Sequence, residues 1–584
     1  MVTSFGKDVG QKPGNAASFT AVKDASKQKF IALLMLLLLV AGPAYGLLAY
    51  SKNKFVRSEI SQAEQAREMI LRNNYIAPSY HYLPNIDKPA MVFWLVIPAF
   101  KTLGETPFAS RIQSLVAALA TLTLLAFALR GAFGWKSALL GTIVLATASR
   151  FIEFTSLCMV DMLLTCFDLG MLASLYASTV DEKRRGMWFN IAGVFSGLAV
   201  MTKGPVGLVL PGGCFAVYLL LTRQVKVLWD KRLWMAFACF LAVASPWYIA
   251  VAATMKGPEF VLQWLWLHNI ERFFGQTYAY THPPTYMVES FFLGFAPWSL
   301  LIPFTAVSSL KKWRSQENPA ESRVELLMWL WVVMTIAFFT VSKGKMNYYD
   351  LPCFTAAAGL VGVHLSRWIE NKSKISTIFA WGLGVALLIA GGVACYILPH
   401  ITGSAVQNWI LAPLAVFIPA AIVFYSLCRG NTYKAYAFSG LAILLAVFAF
   451  SAQALPAIGR QIPALGYLYR VRYDNHDYKL AMHSDFAITV DWVDHGVFIT
   501  GRIPDLLTQQ KDVIAFLEQK ERAYLLIPQD RFAELPASVR EQCKILDSRP
   551  YISDKLGLQF ILKRHGDLCG PTPLLLVTND PSVK

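Results

Sequence analysis

The chain has 584 residues, 55% hydrophobic and only 15% charged, with a mean hydropathy of +0.45. Soluble domains average about 25% charged and 45–50% apolar, so an ordinary water-soluble enzyme and a disordered protein are both excluded. The net charge is +16, yet from Arg460 onward sixteen basic residues balance sixteen acidic ones. The excess travels with the hydrophobic segments, as in cytoplasmic loops, and does not form a nucleic-acid surface.

In chain order, residues 1–28 read as a basic cytoplasmic leader carrying Lys23 and Lys27. The apolar run Phe30–Tyr50 is too long for the core of a signal peptide and reads as a first transmembrane helix at 29–49. Twelve more spans are expected near 108–131, 135–155, 159–179, 188–202, 205–222, 233–254, 289–310, 326–341, 349–367, 375–398, 408–428 and 435–456. The segment 89–104 is apolar but short, begins at Pro89 and carries Lys101, so it reads as a helix lying at the membrane interface.

Loop charge fixes the orientation. With thirteen spans the even-numbered connections hold Lys183, Arg184 and Arg185, then Arg223, Lys226, Lys231 and Arg232. Later ones hold Lys311, Lys312 and Arg314, then Arg367, Lys372 and Lys374, then Arg429 and Lys434. Basic loops stay inside, so the large loops 50–107 and 255–288 and the tail 457–584 face outward. In the tail, alternating segments at 486–490, 496–500, 523–527 and 558–562 flank a helical stretch at 504–521. That pattern predicts a small α/β domain. The nine cysteines show no zinc spacing; Cys543 and Cys569 lie in the polar tail, where a disulfide is one reading.

This topology gathers the unusual polar residues on the outer face. The first outer loop holds Ser58-Glu59, Glu64, Arg67-Glu68 and Asp87-Lys88-Pro89. Asp161 opens the fourth span, where an acid in apolar surroundings points to function or to an N-cap. Thr202-Lys203-Gly204-Pro205 and Ser342-Lys343-Gly344-Lys345 are tight turns, and Tyr349 follows the second. A lysine in a Gly-containing turn offers a phosphate both a point charge and exposed N–H groups. A lysine at a membrane edge also snorkels to headgroups, so one alone would mean little. Glycosyl transfer needs a carboxylate near the anomeric carbon, and the outer loop supplies several. Asp87 with His268 offers ligands for a divalent cation (zinc, magnesium or manganese), although His268 sits among Trp264 and Trp266, where an aromatic-belt role is an equal reading.

At these residues the sequence resembles the bacterial lipid-carrier-dependent glycosyltransferases related to protein O-mannosyltransferases, the aminoarabinose lipid A transferases among them. The family's ordered motifs fall on Ser58-Glu59, Arg67-Glu68-Met69, Asp87-Lys88-Pro89, Asp161, Thr202 to Pro205, His268, Ser342 to Lys345, Tyr349 and Leu351-Pro352. The match runs in order over about residues 30–370.

The resemblance implies a GT-C fold and transfer from an undecaprenyl-phosphate sugar at the outer (periplasmic) face of the bacterial inner membrane. It implies a lipid or glycan acceptor, lipid A being one. It places Lys88, Asp161, Lys203, Lys343, Lys345 and Tyr349 around the donor phosphate, and Asp87 and His268 at a metal. Two departures stand out: Ser58 replaces the family's first acid, and Ser61 replaces an arginine. Serine is no general base without a partner, so Glu59 is the expected catalytic carboxylate, with Glu64 as a displaced alternative. A protein O-glycosyltransferase, a binding protein without turnover and a transporter or flippase are the competing readings. The last predicts mid-membrane charges and repeated halves; the sequence has few such charges and no internal repeat.

Overall fold

The computed structural model describes residues 14–52, 54–55, 59–255, 257–275, 282–315, 318–402, 411–459, 463–474, 476–485, 490–549 and 573–583. Ser58, Cys569 and the predicted strands at 486–490 and 558–562 lie wholly or mostly outside them.

The first helix, α1 (Gly14–Ser51), runs without a break from the basic leader into the first span. The first outer loop then folds into α2 (Glu59–Leu71), a hairpin of β1 (Ser79–Tyr80) and β2 (Leu83–Pro84), and α3 (Met91–Leu103). α3 is the short apolar helix expected at the interface: Val92, Phe93, Val96 and Phe100 are buried, whereas Trp94 and Leu95 are exposed.

α4 (Pro107–Ala146) starts where Thr106 accepts a hydrogen bond from the Ala109 N–H at 3.2 Å and Pro107 takes the first position. It is two helices joined at Gly134, whose φ of 81° only glycine adopts freely. The helices α5 (Ser149–Thr155), α6 (Val160–Val180), α7 (Arg185–Lys203), α8 (Val206–Leu221) and α9 (Leu233–Thr254) follow. The second outer loop holds α10 (Pro258–Leu265) and the single turn α11 (Arg272–Phe274). Then come α12 (Tyr286–Gly294), α13 (Ile302–Ser315), α14 (Pro319–Val341), α15 (Phe354–Glu370), α16 (Lys374–Thr402), α17 (Leu411–Cys428) and α18 (Thr432–Gly459).

Every one of the thirteen expected spans has a helical counterpart, the two halves of α4 and the bent pair α12–α13 included. Among the described residues, seven helices are long and apolar enough on their own to cross a membrane, or eight with the bent pair. α7, α8, α15 and α17 are shorter or less apolar and lie within the bundle. Small residues allow the close packing: a Cβ on Gly362 in α15 would lie 2.3 Å from the backbone N of Gly141 in α4.

After α18, α19 (Pro463–Arg472) leads into the tail domain. Its strands β3 (Tyr478–His483), β4 (Asp505–Leu507), β5 (Arg522–Pro528), β6 (Lys544–Arg549) and β7 (Leu574–Thr578) form one sheet in the order β4-β3-β5-β7-β6. β3, β4 and β5 are parallel; β7 is antiparallel to β5 and β6. The domain class follows the expectation, but one segment does not. Residues 496–500, expected as a strand, close the helix α20 (Val490–Thr500), where Val497, Phe498 and Ile499 are buried together. Three consecutive apolar residues satisfy a fully buried helix as well as a strand. The helix expected at 504–521 is shorter, α21 (Gln510–Leu517).

The tail domain docks on the first outer loop. The Tyr82 hydroxyl donates to the Gly501 carbonyl at 2.8 Å, and His81 Nε2 lies 3.0 Å from Asp494 Oδ1. The Phe55 N–H donates to His495 Nε2, and the Phe55 ring meets Phe498 edge-on at 4.9 Å. The loops, the turns at 203–205 and 342–349, and the sheet domain therefore gather at one end of the bundle, opposite the basic connections.

Candidate active site

A cavity of about 420 Å³ opens at that end. Its polar wall carries Ser61 and Gln62 of α2, Asp87, Lys88, Asp161 and Lys203. Its apolar wall carries Val206 and Val209 of α8, Phe273 and Phe274 of the second outer loop, and Phe338, Phe339, Tyr348 and Tyr349.

Asp161 and Lys203 form its centre. Asp161 lies in the first turn of α6 and Lys203 in the last turn of α7, each where the helix dipole favours its charge. The sequence builds the second position simply. Gly204 (φ 78°) stops α7 with its N–H on the Val200 carbonyl, and Pro205 starts the next helix. Lys203 Nζ donates to Asp161 Oδ1 at 2.5 Å and sits 4.2 Å from the centre of the Tyr349 ring. Asp161 is 1% exposed, so little water screens the pair. Lys88 Nζ holds Asp87 Oδ1 at 3.1 Å on the facing loop.

The expected phosphate ligands thus divide. Lys88, Asp161, Lys203 and Tyr349 line the cavity, together with Ser342 and Gly344 of the second turn. Lys343 and Lys345 do not. The Lys343 side chain is exposed, and its N–H donates to the Phe273 carbonyl at 2.9 Å. Lys345 Nζ is buried and donates to the Thr340 carbonyl at 2.8 Å, capping the end of α14.

Glu59, expected as the catalytic carboxylate, is fully buried and is not among the residues lining the cavity. Arg111 Nε and Nη2 donate to its two oxygens at 2.6 and 3.0 Å, and the Cys158 N–H donates at 2.9 Å. Arg111 also binds the carbonyls of Ala49 and Lys54. Both oxygens of Glu59 are therefore occupied in a junction that ties α1, α2 and α4 together. Glu64, the alternative acid, is buried against Arg67 with oxygens 2.6 and 2.8 Å away. Burial pushes its carboxyl above the usual range, and the Arg67 guanidinium opposes that shift. Glu68 accepts from the Ser79 hydroxyl and the Tyr82 N–H, so it shapes the hairpin that carries the tail domain.

The cation expected at Asp87 and His268 falls partly outside the described residues. His268 lies in the π-helical turn Trp266–Glu271, and its side chain is outside the described set. Asp87 is already paired with Lys88. Among the described residues no group of three His, Cys, Asp or Glu side chains could hold a metal.

Sequence reasoning missed the buried braces. Arg150 Nη1 contacts both oxygens of Asp350 at 2.7 Å and the Ser290 hydroxyl at 2.9 Å. The Ser290 hydroxyl donates to the Asn347 carbonyl at 2.5 Å. This brace fixes the turn bearing Tyr348 and Tyr349 to α5 and α12. Arg111, Arg150 and Asp350 carry one common signal, a charge set in apolar sequence.

The fold and the cavity define a polytopic membrane protein of GT-C architecture. Two solved structures share it. One is ArnT from Cupriavidus metallidurans bound to undecaprenyl phosphate, with a TM-score of 0.69 at 19% identity over 94% of this chain and 98% of that one. The other is its apo state, with a TM-score of 0.66 at 18% identity over 96% and 99%.

In sequence, residues 87–249 match the dolichyl-phosphate-mannose-protein mannosyltransferase family model. The chain is also similar to undecaprenyl phosphate-alpha-4-amino-4-deoxy-L-arabinose arabinosyl transferases. It is 27% identical to one from Sodalis glossinidius, over 74% of this chain and 78% of that protein. It is 28% identical to another from Shewanella sediminis, over 54% of this chain and just over half, 56%, of that one.

Proposed function

We propose that the protein is a glycosyltransferase that moves a sugar from an undecaprenyl-phosphate carrier to an envelope acceptor such as lipid A, on the periplasmic face of the inner membrane. The observation that carries this reading is the Asp161–Lys203 pair (2.5 Å) in a cavity with one polar and one aromatic wall. A lipid-linked sugar phosphate needs both surfaces at once.

In this reading Lys203, aimed by Asp161, takes the charge of the donor phosphate, and Lys88 adds a second cation. The acceptor hydroxyl oxygen attacks the anomeric carbon. The bond from that carbon to the phosphate oxygen breaks, and the carrier phosphate leaves with the electron pair. The hydroxyl proton passes to a carboxylate. With Glu59 held by Arg111, Asp87 is the cavity carboxylate best exposed for that role, its side chain being 36% accessible. Val206, Val209, Phe338 and Phe339 offer the isoprenoid an apolar wall.

The test compares masses of the lipid A, core-glycan and polyprenyl-phosphate fractions from cells with and without the chain. A defined mass lost from the glycan, with the sugar-loaded carrier accumulating, supports transfer. Unchanged pools with the chain expressed and folded would favour carrier binding without turnover.

A further inference from the structure

Arg150 and Asp350 stand outside the cavity yet tie together two of the elements that build it. Neither residue lines the cavity; Asp350 is fully buried and Arg150 is 7% exposed. One face of α5 meets the turn at 348–350 twice. Arg150 takes Asp350, and Phe154, one helical turn on, packs its ring on Tyr348 with centroids 5.4 Å apart. Tyr349 is held between these two anchored neighbours, and the centre of its ring is 4.2 Å from Lys203 Nζ. From its other end α5 leads through residues 156–159 into α6, where Asp161 takes the same ammonium at 2.5 Å.

The Arg150 guanidinium has a prepared place. α12 ends at Gly294, where a Cβ would lie 2.5 Å from Arg150 Cζ and Nη1. The start of α5 is fastened to the same point. The Ser149 hydroxyl donates to the Gly294 carbonyl at 2.9 Å, and the Ser149 N–H donates to the Ala296 carbonyl at 3.1 Å. A buried ion pair contributes little net stability, because desolvation offsets the attraction, and packed apolar side chains would hold these elements together as well.

We propose that Arg150 and Asp350 are positioning residues for the transfer. Their ion pair fixes the Tyr349 ring relative to Asp161, and so sets where the Lys203 ammonium, which both neighbours touch, meets the leaving phosphate. This rests on the transfer reading above. Lys203 contributes most in the transition state, where the departing phosphate gains charge, and a displacement of about 1 Å there is costly. The pair does not touch the ligand, so its effect reaches the reaction through Tyr349 and Lys203.

The test measures turnover per folded chain in proteoliposomes, with lipid A and an undecaprenyl-phosphate sugar extracted from the same membranes. Asp350→Asn weakens the pair, whereas Gly294→Ala keeps every charge and crowds the guanidinium. Each should lower kcat about tenfold or more while KM for the donor changes by less than about threefold. Tyr349→Leu removes the ring through which the pair acts and should itself cost about tenfold. In that background the same two variants should cost no more than about twofold further. If Asp350→Asn does not fold, Gly294→Ala carries both measurements. The proposal is overturned if the folded variants turn over like the parent, if KM rises with no fall in kcat, or if the losses persist undiminished in the Tyr349→Leu background. A parent chain that transfers no sugar would instead overturn the transfer reading itself.

Discussion

Glu59 grips Arg111 through both carboxylate oxygens, at 2.6 and 3.0 Å, with neither side chain exposed. The contact joins the first turn of α2 to the start of α4, and the Cys158 N–H completes it from the approach to α6. Its consequence is structural. Removing one partner of a buried pair costs about 3–5 kcal/mol, because the other charge is stranded. Glu59→Gln should therefore lower the melting temperature and the yield of folded protein. The fraction that folds should keep its turnover within about twofold, since the side chain does not face the cavity. Normal stability with turnover down by about a hundredfold would return the catalytic role to Glu59.

The Asp161–Lys203 pair predicts the opposite pattern. Lys203→Ala and Asp161→Asn should each reduce transfer by about a hundredfold or more, as expected for loss of a charge held against the leaving phosphate. Lys203 acts through the position Asp161 gives it, so the double variant should be little worse than either single one. Additive losses in a double-mutant cycle would separate the two roles.

Asp87 and Lys88 lead to a prediction about metal. Asp87 Oδ1 already has the Lys88 ammonium 3.1 Å away, and a divalent cation would have to displace it. Transfer should therefore survive dialysis against EDTA, and Asp87→Asn should reduce kcat more than it raises KM. Loss of activity on chelation, restored by zinc or manganese, would bring the Asp87–His268 site back.

His483 makes the tail domain sensitive to acid. Burial holds this imidazole below its usual pKa of about 6.5. Its Nδ1 accepts from the Asp485 N–H at 3.2 Å, a bond that a proton on Nδ1 removes. A depressed pKa contributes stability that is present above the unfolded value and is lost as pH falls through the folded one. Protection of the β3 amides, taken relative to the intrinsic exchange rate at each pH, should fall as pH is lowered from 7.5 to 5, and His483→Gln should flatten that response. Protection that stays constant over this range would contradict the assignment.

Particular residues show what was legible in the sequence. The spans were, because apolar runs broken by basic loops have one reading in a bilayer. The Lys203 turn was, because Gly204 and Pro205 announce a helix end whatever surrounds them. The fate of Glu59 was not: its partner Arg111 lies fifty-two residues on, and nothing local marks the contact. The same holds for Arg150 and Asp350, two hundred residues apart. The placement of Lys343 and Lys345 was hidden for a related reason. A glycine-containing turn fixes where backbone N–H groups sit, but long side chains go where neighbouring carbonyls draw them, here that of Thr340 for Lys345. In the tail, residues 496–500 have no periodicity that separates a buried helix from a strand.

The most direct test of the account is product stoichiometry in the reconstituted chain. The parent and Lys203→Ala would be supplied with lipid A and an undecaprenyl-phosphate sugar extracted from the same membranes, and both products would be followed by mass spectrometry. The account predicts one glycosylated acceptor for each undecaprenyl phosphate released by the parent, and neither product from the variant. Equal turnover by the variant, or carrier phosphate released with no acceptor modified, would contradict it.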